Sequence, residues 1–212
     1  MADQILALFG DSILDNAPYT GPEPDTTAHL ERLLGKRWAV RRMATDGAMM
    51  RDVPGQLRGL RDRPAVAVLS VGGNDAIEHI GILEQPAANS GAVLEYLDGI
   101  AAQFQEQYEK VVKAVVEQAT RVILCTIYEV RLEPPVFAKR VRVPLAVLND
   151  RILRTAAKLG LDAIELRSVC TEPSDFVQQI EPSAQGAAKI AKAIFAAVRG
   201  NGGLSSGRVF AA

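Results

Sequence analysis

Five short apolar runs, over residues 5–9, 38–43, 65–71, 121–128 and 161–166, are separated by longer stretches whose apolar residues recur every three or four positions. No other feature of the chain narrows its fold as much. Runs such as Ala65-Val66-Ala67-Val68-Leu69-Ser70-Val71 are apolar without alternation, which suits strands covered on both faces. The intervening stretches predict helices over 26–34, 51–60, 92–119 and 144–158, with 183–198 closing the domain. In the longest, Leu94, Leu97, Ile100, Ala101, Phe104, Tyr108, Val111 and Val115 form one amphipathic stripe. Strands alternating with helices argue for a parallel sheet in a three-layer α/β sandwich.

The whole chain sets few further limits. Its 212 residues suit one domain over 1–199, and the glycine- and serine-rich stretch over 200–212 reads as a flexible tail. Segments 19–25, 84–91 and 129–143 read as loops, the last two expected to line the mouth of a site. A net charge of -1 gives no electrostatic reason to expect nucleic acid or an anionic membrane as partner. Two cysteines make neither a disulfide framework nor a zinc site, and Cys125 lies in an apolar run as a core residue would. Asp3 and the absence of a basic n-region argue against a signal peptide, so a cytoplasmic location is expected. No stretch reaches the roughly 20 apolar residues that span a bilayer, so membrane insertion is not expected.

Chemistry concentrates where the first three strands end. Ser12, in Gly10-Asp11-Ser12-Ile13-Leu14-Asp15, follows the first strand, where open α/β sheets place their sites. A serine nucleophile needs a sharp presentation, a base and donors for the oxyanion. Gly10 permits the turn, and the Ser12 N–H is available as one donor; the structural alternative makes Asp11-Ser12 a helix cap. Thr45-Asp46-Gly47 follows the second strand, where taken alone it reads as an ordinary turn. Gly72-Gly73-Asn74-Asp75 follows the third strand, and its amide is a neutral donor that keeps its protons at working pH. These glycines do not match a dinucleotide fingerprint, and no phosphate-cradling loop supports a nucleotide or flavin site.

Together these three blocks resemble those of the SGNH (GDSL-type) hydrolases, a family of esterases, lipases, thioesterases and carbohydrate deacetylases. The resemblance implies a flavodoxin-like α/β/α domain with a five-stranded parallel sheet in the order 2-1-3-4-5. It implies Ser12 as nucleophile and Ser12, Gly47 and Asn74 as the oxyanion hole. It also implies an ester, thioester or acetylated small molecule as substrate, with no metal and no cofactor.

The last block departs from the family. Where an Asp-x-x-His-Pro sequence is expected, the chain reads Gln178-Gln179-Ile180-Glu181-Pro182, before a helix containing Gly186. Glu181 stands in place of the histidine and Gln178 in place of the aspartate. Three readings follow. Glu181 is itself the base, although a free glutamate at about 4.3 is a poor match for serine near neutrality. Alternatively His79, five residues after Asn74, or less readily His29, supplies the base, with Asp175 as an orienting partner. In the third reading the protein is a silent scaffold that binds an acyl or glycan ligand. Glu181 also has a purely structural alternative, complementing the dipole of a helix begun by Pro182.

Overall fold

The computed structural model describes residues 3–200 and 208–211. The first half of the chain runs β1 (Gln4–Gly10), α1 (Ala17–Thr20), α2 (Thr26–Leu34), β2 (Trp38–Arg42), α3 (Val53–Arg58), β3 (Val66–Ser70), α4 (Gly73–Glu78) and α5 (Ser90–Gln118). The second half runs β4 (Arg121–Cys125), α6 (Pro135–Leu159), β5 (Asp162–Ile164), α7 (Leu166–Val169), β6 (Phe176–Val177), β7 (Glu181–Pro182), α8 (Ala184–Arg199) and β8 (Val209–Phe210). All six strands of the main sheet are parallel, in the order β2-β1-β3-β4-β5-β8.

The period-two geometry of a strand divides the apolar runs between two cores. Ala7 and Phe9 of β1, Ala67 and Leu69 of β3, and Val122 and Leu124 of β4 pack with α3, α5 and α6. Leu6 and Leu8, Val66 and Val68, and Ile123 and Cys125 point the other way, against α2, α7 and α8. Each fully buried leucine removed from water contributes about 2 kcal/mol, so both faces are committed to cover by helices. Cys125 and Cys170 are free and buried in the second core, and burial pushes both thiols up. Asp25, Asn89 and Ser183 cap α2, α5 and α8, their side-chain oxygens accepting from Ala28 N at 2.7 Å, Ala92 N at 3.0 Å and Gly186 N at 3.2 Å. Among the described residues no helix is long and apolar enough to cross a membrane.

Three expectations change. The first five strands take the expected order, but a sixth, β8, is added from the segment read as a flexible tail; residues 201–207 and 212 lie outside the described residues. The edge of β5 explains it. Ala163 N and Glu165 N donate to Arg208 O at 2.7 Å and Phe210 O at 2.8 Å, and Asp162 pairs with both Arg208 and Arg121. Second, most of the segment read as a loop over 129–143 is helical, because α6 begins at Pro135, in the first turn where proline loses no helix hydrogen bond, and continues through Pro144. Third, the apolar stripe of α5 is buried only from Ile100 onward, whereas Leu94 stays 64% exposed on turns that extend beyond the sheet.

Candidate active site

Gly10 ends β1 with φ 124°, and a Cβ there would lie 1.7 Å from the Ser70 carbonyl oxygen, so only glycine fits. Asp11 N donates to that same oxygen at 3.1 Å, and the chain then turns sharply. Asp11 supplies the hydrogen bonds within the turn: its Oδ1 accepts from Ile13 N at 3.2 Å, and its carbonyl accepts from Leu14 N and Asp15 N. Asp11 therefore caps a tight turn rather than a helix. Ser12 is left at its apex with an N–H that no described group accepts from.

The second block is fastened to the first. Thr45 N donates to Gly10 O at 3.0 Å, and Asp46 N donates to Asp15 Oδ2 at 3.0 Å. Gly47 follows with φ 76° and open space where a Cβ would stand. The glycine is needed here for its backbone angle, not for room, and its N–H is also free of any described acceptor. The third block is fastened to the second in turn. Asn74 Nδ2 donates to Ala48 O at 2.9 Å, and the Asp75 carboxylate accepts from Met50 N at 3.2 Å. The three strand exits thus form one hydrogen-bonded unit in which Ser12, Gly47 and Asn74 each keep an N–H to spare. A cleft of about 480 Å³ opens beside Gly47, lined by Thr45, Asp46, Ala48, Asp52 and Gln56 among others. Ser12, Asn74 and Glu181 are not among its lining residues, so it leaves the expectation for 84–91 and 129–143 untested.

The last block arrives as a two-stranded hairpin, β6 and β7, with Val177 opposite Glu181. It is anchored by the Tyr128 hydroxyl, which donates to Ile180 O at 2.5 Å, and by Arg131 N, which donates to Gln179 O at 2.8 Å. Glu181 is buried beside Ser12, whose side chain acts on its carboxyl, while its Oε2 is buried with no partner among the described residues. Burial first, and the Asp46 charge to a lesser extent, raise its pKa; the Ser12 side chain acts in the opposite direction. Glu181 does not sit in the first turn of α8, and Pro182 does not start that helix. Both lie in β7, and Ser183 is the N-cap, so the helix-dipole alternative does not hold.

The other residues considered for the base lie elsewhere. His79 is exposed at the end of α4, and His29 sits within α2; neither is a partner of Ser12. Gln178 is exposed at the hairpin tip with φ 49°, turned away from any role beside Glu181. Asp175 is fully buried but binds Lys189 Nζ at 2.7 Å, Gln185 Nε2 at 2.9 Å and Glu172 N at 2.9 Å, which makes it a loop cap.

Two polar residues at the site escaped the sequence reading. Asp11 is buried beneath Ser12, and burial, with Glu181 and Asp75 adding to it, raises its pKa to about 8. Its place in the Gly-Asp-Ser run was visible, but its environment was not. Gln56, on the inward face of α3 beside Val53, grips the Gly10 backbone at both its N–H and its C=O. A polar residue at helical spacing from Val53 and Leu60 was the available signal.

The family model described as GDSL-like Lipase/Acylhydrolase matches residues 8–189. A comparison with curated protein sequences finds no match. Among solved structures, a phospholipase A1 from Streptomyces albidoflavus superposes with a TM-score of 0.70 at 14% identity, covering 93% of this chain and 100% of that one. An alpha/beta hydrolase from the metagenome of Lake Arreo gives 0.68 at 19% identity, covering 92% and 95%. An acetylxylan esterase from Geobacillus stearothermophilus gives 0.64 at 18% identity, covering 94% and 96%. At these identities the superpositions speak for the fold.

Proposed function

This chain belongs to the GDSL-like lipase/acylhydrolase family, and on that premise we propose that it hydrolyses an ester, thioester or acetyl group of a small molecule, with Ser12 as nucleophile and Glu181 as base. The observation that carries this reading is the buried Glu181 carboxyl that the hairpin brings beside Ser12, whose side chain acts on it. A carboxylate beside the serine can take its proton where no imidazole stands. The raised pKa of Glu181 brings the base closer to neutrality than an ordinary glutamate, which is the direction general-base catalysis needs.

In the first step Ser12 Oγ bonds to the carbonyl carbon while its proton passes to Glu181. The oxygen that becomes anionic is met by the Ser12 and Gly47 N–H groups and by Asn74 Nδ2. Collapse breaks the bond to the leaving alcohol or thiol, which takes the proton from Glu181 and leaves an acyl-serine. Water then adds to the acyl carbon, giving a proton to Glu181, and the acid departs as Ser12 recovers that proton.

A second reading, a silent scaffold for an acyl or glycan ligand, is favoured by one observation. Glu181 Oε2 is buried with no partner, so nothing orients the base as an aspartate orients a histidine. Turnover of p-nitrophenyl acetate between about pH 5 and 9 decides. For an enzyme, Ser12→Ala falls to the uncatalysed rate and Glu181→Gln lowers kcat by about 10²–10⁴. Because Glu181 acts ionised and its pKa is raised, wild-type activity climbs as pH rises through that pKa, and Glu181→Gln removes the climb. A silent wild type that gains turnover in the Gln178→Asp, Glu181→His double variant sustains the scaffold reading instead.

A further inference from the structure

β2 stops following β1 after Leu8, whose partner is Arg42, and the chain then turns away toward Gly47. Gly10 points its N–H and C=O to that same side, one residue pair beyond the last partner β2 offers. The Gln56 side chain fills the vacancy in the ladder. Gly10 N donates to Gln56 Oε1 at 2.9 Å, and Gln56 Nε2 donates to Gly10 O at 2.8 Å. A side-chain amide offers donor and acceptor together in the geometry of a peptide. The contact is buried, on the helix face that otherwise presents Val53, so an unmade bond there would carry the full cost of a desolvated polar group.

Gly10 O also accepts from Thr45 N at 3.0 Å. One carbonyl therefore joins the turn that carries Ser12 to the turn that carries Gly47. The Gln56 side chain holds that carbonyl, and its hydrogen bonds go to Gly10 rather than to Ser12, Gly47 or Asn74. We propose that Gln56 is a positioning residue for the nucleophile, its amide fixing the Gly10 peptide and through it the spacing of the Ser12 and Gly47 N–H groups. This rests on the serine-hydrolase reading given above.

The same arrangement supplies its own test. In Gln56→Glu an ionised carboxylate accepts from Gly10 N but faces Gly10 O with no proton to give. A neutral carboxylic acid restores both bonds. The readout is the rate at which an alkyl fluorophosphonate labels Ser12, a reaction that forms the Oγ–P bond, breaks P–F and releases fluoride and the serine proton. At pH 8 the Gln56→Glu rate falls on the order of 100-fold below wild type, as for a misplaced nucleophile. The ratio of variant to wild type recovers as pH falls and the buried acid is neutralised. Gln56→Ala shows the loss at every pH, with no recovery, and circular dichroism confirms that the variants are folded. Labelling of both variants at the wild-type rate, or losses that only track an unfolded fraction, overturn the inference and leave the hydrolase reading intact. Failure of both variants to fold also overturns it, since Gln56 would then serve the fold and not the nucleophile. A wild-type protein that is never labelled overturns the hydrolase reading itself, and this inference with it.

Discussion

The three strand exits and the final hairpin hold the two halves of one site by different means. At the exits, backbone groups that the sheet leaves over are taken up: Gly10 by Gln56 and Thr45, Ala48 by Asn74, Met50 by Asp75. The hairpin is fastened at its tip and flanks, through Tyr128 and Arg131, but Glu181 itself lies beside Ser12 with a buried oxygen that has no partner among the described residues. The half proposed to bind the oxyanion is therefore held by several hydrogen bonds, whereas the half proposed to supply the base depends on one contact in a desolvated place. Damage to the sheet backbone of the first half should cost the fold, damage to the side chains that brace it should cost Ser12 reactivity, and damage to the second half should cost chemistry or pH response.

The sharpest way to break that contrast is Gly10→Ala. Its methyl group would stand 1.7 Å from Ser70 O at a φ that alanine rarely adopts, so β1 and β3 could not keep their register. We expect destabilisation beyond about 4 kcal/mol, read as loss of the cooperative urea transition; a stable Gly10→Ala would refute the redundancy argued for this half.

Asp11→Asn has the next largest effect and sharpens the comparison, because Asp11 belongs to the rigid half but faces the charge of Glu181. The folded state holds this proton up to about pH 8, whereas an ordinary aspartate loses it near 3.8. Between those values the folded protein binds more protons than the unfolded chain, so stability falls as pH rises, by up to about 1.4 kcal/mol per unit. Asp11→Asn should flatten that slope in urea titrations between pH 5 and 8 and be more stable than wild type at the upper end. An unchanged slope would mean that Asp11 is ionised in the fold.

The smallest effect lies outside both halves. Arg208→Ala removes the pairing of β8 with Asp162 at the far edge of the sheet, and should lower the urea midpoint only slightly while leaving Ser12 labelling unchanged. A change in Ser12 reactivity would show that the added strand is coupled to the site.

Much of this was legible in the residue order. Alternating apolar runs fixed the parallel sheet and its first five strands, because a strand buried on both faces can hold almost no polar residue. The local turns at Ser12, Gly47 and Asn74 could also be read directly, since glycine, aspartate and asparagine write their backbone preferences into the sequence. Even Glu181 was visible, by its offset from Pro182 and Gly186. The tail was misread because composition describes a segment by itself, and Arg208–Phe210 is ordered by an edge and an aspartate more than forty residues away.

What only the tertiary structure decided is the state of the charges and the fate of the polar groups. Whether Glu181 reaches Ser12, whether His79 does not, and how far burial lifts Asp11 depend on the distances and desolvation created when chain segments far apart in sequence are packed together. Gln56 is the plainest case: nothing near it in sequence asks for an amide, and the groups that need one lie 46 residues earlier, at the end of a strand it meets only in the folded chain.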